Sequence, residues 1–156
     1  MKITLKNFKY SEFASHETHC FEASVYIDGK RAGIASGDGN GGCMTIHPHA
    51  LRDKIDAYAR TLPPVTYDEI TVEQDAETIL GVLITQTLIE RDLNRYLRTG
   101  VVWLTNQREI KFRKMPANLL SGELKKPDLS TRLKDCAAIL NVLPHADALR
   151  LFKMHA

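Results

Sequence analysis

The chain has 156 residues, 44% of them hydrophobic and 26% charged, which is the composition of one ordinary globular domain with room for a single real core. No apolar run reaches the roughly 18 residues of a membrane helix, so no membrane span is expected. Met1-Lys-Ile-Thr-Leu-Lys-Asn-Phe8 alternates like a strand, so no signal peptide is expected, and an odd count of three cysteines fits reduced thiols and a cytoplasmic location (the host cytoplasm for a phage-encoded protein) better than a disulfide framework.

The net charge of +2 conceals a division. Residues 1–90 carry 8 Lys+Arg against 13 Asp+Glu, and residues 91–156 carry 13 against 6, which is −5 and +7. A basic half of this kind suits nucleic acid or an acidic protein. Alternatively, the two halves neutralise each other across the fold.

In chain order, Lys2 to Phe8 reads as a half-buried strand with Ile3 and Leu5 inward, and 9–18 as a loop. Phe21-Glu-Ala-Ser-Val-Tyr-Ile-Asp-Gly-Lys-Arg-Ala-Gly-Ile-Ala35 predicts a hairpin turning at Asp28-Gly29, a type I′ dipeptide. That turn pairs Ile27 with Lys30, Val25 with Ala32 and Ala23 with Ile34. Phe21, Ala23, Val25, Ile27, Ala32 and Ile34 would share one face, with Cys20 opposite Gly37. The stretch 36–43 holds four of the nine glycines, at 37, 39, 41 and 42, and can visit positive φ repeatedly.

Pro48 suits the first turn of a helix whose stripe is Leu51, Ile55, Tyr58 and Leu62, ended by Pro63-Pro64. Thr71-Val-Glu-Gln74 reads as a capping box opening the longest helix, to about Leu97 or Arg98. Gly81 inside it implies close packing against another element. A second hairpin is expected around Thr105-Asn-Gln-Arg108, with Trp103/Ile110 and Val101/Phe112 facing the core and Glu109, Lys111 and Arg113 on the other face. Pro116 starts a short helix interrupted at Lys125-Lys126-Pro127. Residues 130–135 look helical and 137–141 extended, and Pro144 opens a final helix with Ala146, Leu149 and Phe152 inward. The expected fold is α+β and a single domain, 1–156. A mostly antiparallel sheet, built from an N-terminal strand and two hairpins, packs on a long central helix with further short helices.

Three chemistries compete. Cys20, Cys43, His47 and His49 offer thiolate and imidazole ligands suited to zinc, but their spacing is that of no finger, ribbon or knuckle, and buried free cysteines are common. Zinc is therefore the one cofactor to consider, and no metal site is assigned. The glycines could form an anion nest, yet no G-x-x-x-x-G-K-[ST] or G-x-G-x-x-G occurs and Asp38 opposes an anion, so a structural turn is the preferred reading. No nucleophile–base pair, G-x-S-x-G or H-E-x-x-H points to an enzyme, so catalysis is not expected. The surface signal is the basic segment: Arg108, Lys111, Arg113, Lys114, Lys125 and Lys126 are the candidate partner-binding residues, able to meet phosphates or carboxylates. Phe112 is expected to point inward, which argues against a single-strand stacking platform.

Glu17-Thr18-x-Cys20-Phe21-x-Ala23, followed by Asp28-Gly29 and Asp38-Gly39-x-Gly41-Gly42, resembles a family of small uncharacterised proteins of phages, prophages and bacteria. Thr61-Leu-Pro-Pro-Val65 fits the same pattern. The likeness covers residues 15–65 and is loose beyond them, and Gly37 stands where the family more often has asparagine. It carries over no functional residues. It implies a mobile-element protein that binds and inhibits a host macromolecular complex, with CRISPR–Cas and other defence systems among the targets. The expected partner is a host protein or ribonucleoprotein, or nucleic acid through the basic half, and no membrane. The alternatives are a metal-stabilised regulatory or nucleic-acid-binding module and, behind it, a small enzyme.

Overall fold

Alternating Ile3 and Leu5 begin the strand Ile3–Tyr10 (β1) in the computed structural model, which describes residues 1–67 and 70–155. β1 pairs antiparallel with Cys20–Ile27 (β2), which turns into Lys30–Asp38 (β3), and Thr45–His47 (β4) completes the sheet β1-β2-β3-β4. Asp28 and Gly29 both have positive φ, 49° and 81°, as a type I′ turn requires.

Beyond that turn the register departs from expectation. Ile27 faces Lys30 and Tyr26 faces Arg31, but Ala32 is then unpaired and Val25 falls opposite Gly33, Ala23 opposite Ala35 and Cys20 opposite Asp38. One extra residue in one strand is a β-bulge, and it moves everything after it to the other face. Ile34 therefore pairs with Ser24 and is 38% exposed, while Phe21, Ala23, Val25, Ile27 and Ala35 are buried. The slip also brings glycine to the point where β4 crosses closest. A Cβ on Gly33 would overlap the His47 carbonyl.

The helix His49–Ala59 (α1) starts just after Pro48 and buries Leu51, Ile55 and Ala59, with Tyr58 only half-buried and Leu62 past its end. Val65–Tyr67 (β5) and Ile70–Val72 (β6) form a two-stranded ladder. Thr71 thus belongs to a strand, and the expected capping box does not form. The long helix is Ala76–Thr99 (α2), and its cap is Asp75, whose Oδ1 accepts from the amide and the hydroxyl of Thr78, both at 2.7 Å. Burial pushes the Asp75 carboxyl up, but these two hydrogen bonds outweigh it and hold it below its ordinary value. A carboxylate with a lowered native pKa contributes stability above its unfolded value near 3.8 and loses it as pH falls through the native value. Asp75→Ala should therefore cost about 1 kcal/mol at neutral pH, with the deficit shrinking in acid. Urea melts of both proteins between pH 7 and pH 2 check this, and a deficit that does not change with pH would refute it.

Gly81 does not pack closely against anything, contrary to expectation: no atom lies within 4 Å of a Cβ built there. A helix-interior glycine costs about 1 kcal/mol relative to alanine, so Gly81→Ala should raise stability by about 0.5–1 kcal/mol, read by chemical denaturation.

The chain packs as two compact units, Met1–Thr85 and Gln86–Ala156, divided within α2. In the first, Leu80 and Ile84 of α2 are buried, and Arg52 ties its elements together by donating to the Met44 carbonyl and to Glu77, the latter at 2.6 Å.

The second unit holds Gly100–Thr105 (β7), Ile110–Lys114 (β8) and Cys136–Ile139 (β9) as an antiparallel sheet β8-β7-β9. Around it lie Ala117–Leu124 (α3), Leu129–Arg132 (α4), a 3₁₀ turn at Leu140–Val142 and His145–His155 (α5). Leu93, Val102, Leu104, Leu140, Ala148 and Phe152 form one apolar cluster, and Val101, Leu120, Leu129 and Leu133 a second. Consecutive residues of β7 point to opposite faces, so Val101 and Val102 place β7 between two cores. Ala148 and Phe152 are the buried positions of α5; Ala146 is exposed. The α+β class is as expected, but among the described residues the strands divide among three sheets instead of one. Among the described residues no helix is long and apolar enough to cross a membrane.

Candidate functional site

The basic segment forms an edge strand. Asn106, Gln107 and Arg108 make a three-residue loop, closed by Arg108 N–H to Thr105 O at 3.0 Å and Thr105 N–H to Glu109 O at 2.9 Å. Arg108 takes the left-handed position, φ 64°, which such loops need at their last residue. The odd loop length sets the register one residue from that expected: Trp103 faces Lys111, Val101 faces Arg113, and Val102 faces Phe112. Lys111 and Arg113 therefore share the face of Trp103 and Val101, and Phe112 shares that of Ile110 and Lys114.

Every residue of β8 after Ile110 is exposed, Phe112 among them at 37%. The Phe112 ring leans over Gly100, where a Cβ would lie 2.7 Å from it, and meets Tyr96 at 4.9 Å between centroids. Tyr96 in turn meets Phe152 at 6.1 Å. Ile89, Tyr96, Val102, Ile110, Phe112 and Phe152 border a groove of about 560 Å³ beside the cationic strand. Phe112 was expected to be core; it is half core and half groove wall.

The six candidate cations are not equivalent. Lys111 pairs with Glu109 at 2.7 Å. Lys126 and Arg132 reach Glu123 at 2.7 and 2.8 Å, and Arg113 lies 4.0 Å from it. Glu123 is nearly buried, and its carboxyl is held below the ordinary value, first by the Lys126 hydrogen bond, against burial, and then by Arg132. It was missed as a site-organising residue, though the Glu123-x-x-Lys126 spacing at the end of a helix was a legible signal. Lys125 stands at the C-terminus of α3. Among the described residues, Arg108, Lys114 and Lys125 make no ion pair, so with the exposed Lys111 they are the cations most available to a partner.

The cysteines and histidines do not assemble. Cys20 is opposite Asp38 on β3, and His47 is opposite Ile34 from the far side of β3. Two strand spacings and four residues of rise separate them by roughly 16 Å, too far for a cysteine and a histidine to share one zinc with bonds of about 2 Å. Cys43 is exposed, and among the described residues no group of three His, Cys, Asp or Glu side chains converges.

The glycine loop is held in place by the chain that precedes the first hairpin. The amides of His16, Glu17 and Thr18 converge on the Gly39 carbonyl at 3.0, 2.9 and 3.3 Å, so the nest in this region belongs to 16–18 and its occupant is the protein's own oxygen. A Cβ at Gly37, Gly39 or Gly41 would overlap the His19 carbonyl, the Ala14 carbonyl or the Glu17 carboxylate respectively. Gly37 and Gly39 are thus required by the close approach of the backbone of residues 14–21, whereas at Gly41 the Glu17 side chain can swing aside and the positive φ of 84° is what favours glycine. No protein-family model matches the chain, and no curated protein or solved structure matches it.

Proposed function

We propose that the protein acts by binding and not by catalysis. Its basic C-terminal unit docks on an acidic surface of a host macromolecular complex, as a phage or mobile-element inhibitor of a defence system such as CRISPR–Cas would. The observation that carries this reading is β8, an exposed edge strand that sets Lys114 on the same face as a partly exposed aromatic, Phe112, at the border of an apolar groove, with Lys111 on the other face of the strand. Interface hot spots combine an aromatic anchor with surrounding charge in this way, and opposite charge steers the encounter. The charge division also follows the structural one. Residues 86–156 carry 13 Lys+Arg against 7 Asp+Glu, and residues 1–85 carry 8 against 12. The host setting and target class rest on the likeness of residues 15–65 to phage and prophage proteins.

The test is affinity capture from host lysate with and without nuclease, using the wild type beside Phe112→Ser. A protein or ribonucleoprotein partner that survives nuclease and is lost with Phe112→Ser supports the proposal. Capture of nucleic acid alone would favour a nucleic-acid-binding module, and equal capture by both proteins would remove β8 from the reading.

A further inference from the structure

The first unit contains a cleft of about 510 Å³ whose wall includes Tyr10, Phe21, Glu17, Glu77 and Gly81. That volume is in the range of small-molecule sites. Its chemistry is the opposite of the basic strand's, since no lysine or arginine lines it among the described residues. Of its two carboxylates, Glu77 is committed to Arg52 at 2.6 Å. Glu17 is exposed and makes no ion pair among the described residues. Tyr10 and His19 meet edge to face at 5.9 Å, giving the same wall an aromatic corner.

Two glycines of the wall have no packing reason to be glycine. A Cβ at Gly42 or at Gly81 meets nothing within 4 Å. At Gly81 the missing side chain costs helix stability and leaves the α2 wall of the cleft bare. An open backbone floor, an aromatic corner and an unpaired carboxylate form a receptor for a cation with an organic body. Cations are drawn to aromatic faces, and Glu17 is the carboxylate of the wall left to meet one, since Glu77 is paired with Arg52.

We propose that this cleft binds an organic ammonium or guanidinium group, with Tyr10 and Glu17 as the recognising side chains and the Gly81 surface of α2 as the floor. The same chemistry has two sources, a free small amine or the basic side chain of a peptide. The test titrates the full chain, by calorimetry or NMR, with choline, with its neutral isostere 3,3-dimethylbutan-1-ol, and with Nα-acetyl-lysinamide. At least one cation should bind with Kd of about 1 mM or tighter, and the isostere should bind about tenfold more weakly or worse. Glu17→Gln and Tyr10→Ala should each weaken the cation by about fivefold or more. Gly81→Leu should abolish binding while the protein stays folded, because leucine favours the helix and its side chain would occupy the floor. Tighter binding of choline assigns the site to a free amine, and tighter binding of the lysine derivative to a peptide side chain. Equal affinity for the isostere, no binding of either cation at about 20 mM, or unchanged binding by a folded Gly81→Leu would overturn the proposal.

Discussion

Gly39→Ala should destabilise the first unit by about 3 kcal/mol or more, the largest effect expected of a single added methyl in this chain. Gly39 has φ 87°, a region that costs an L residue about 1–2 kcal/mol. The new Cβ would also overlap the Ala14 carbonyl. Relieving that overlap moves Gly39 away from residues 14–18, and its carbonyl is the acceptor for three of their amides. Each such bond contributes about 0.5–1.5 kcal/mol net, and each amide left buried without a partner costs more. A drop in melting temperature of roughly 6–12 °C follows for a protein of this size. Gly42→Ala is the matched control. It lies three residues on in the same loop, without positive φ and without an atom within 4 Å of its Cβ, and should change stability by less than about 0.5 kcal/mol. If the two variants melted alike, the glycine loop would not be the clamp described above.

Reversal of Arg108, Lys111 and Lys114 to glutamate should weaken partner binding by roughly 30- to 100-fold, since exposed charge pairs contribute up to about 1 kcal/mol each. Arg113 is left out of the set because it lies 4.0 Å from the nearly buried Glu123. A glutamate there would add like charge to a carboxylate that Lys126 and Arg132 already serve, confusing loss of folding with loss of binding. The three chosen side chains are exposed, and among the described residues the pair broken is the exposed one between Lys111 and Glu109, so the melting temperature should stay close to that of the wild type. A salt titration separates the partner classes. On duplex DNA each neutralised phosphate contributes about −0.9 to the slope of log K against log salt, so the triple variant should lose nearly three units of slope. On a protein partner the loss should fall mainly on the association rate. Undiminished binding by the folded variant would show that β8 is only a solvated edge, where lysines commonly serve to prevent strand addition.

Local chemistry was enough to reveal many of the elements. Asp28-Gly29 announces its turn, Pro116 and Pro144 their helices, and the spacing of Leu51 and Ile55 the buried face of α1, because each depends on backbone preferences within a few residues. The basic strand was legible as charge, and the glycine loop as a place where the chain before the hairpin comes close, as residues 14–21 do. Pairing register and partner identity were not legible. The unpaired Ala32 and the three-residue loop ending at Arg108 each shift a ladder by one residue, and with a period of two that exchanges core for surface. Ile34 and Phe112 were misplaced for this reason. The cap of α2 was misjudged because Thr71 could serve a strand or a helix, and the pairing of β5 with β6 settles which. Composition, charge division and element types were thus determined by the sequence itself. The tertiary structure decided that Glu123 collects three of the basic segment's cations, that Gly39's carbonyl fills the nest of residues 16–18, and that Gly81 faces open space. Apart from the local pair of Glu123 with Lys126, the first two depend on contacts between residues whose separation along the chain carries no pattern, and the third on no neighbour coming close once the chain has packed.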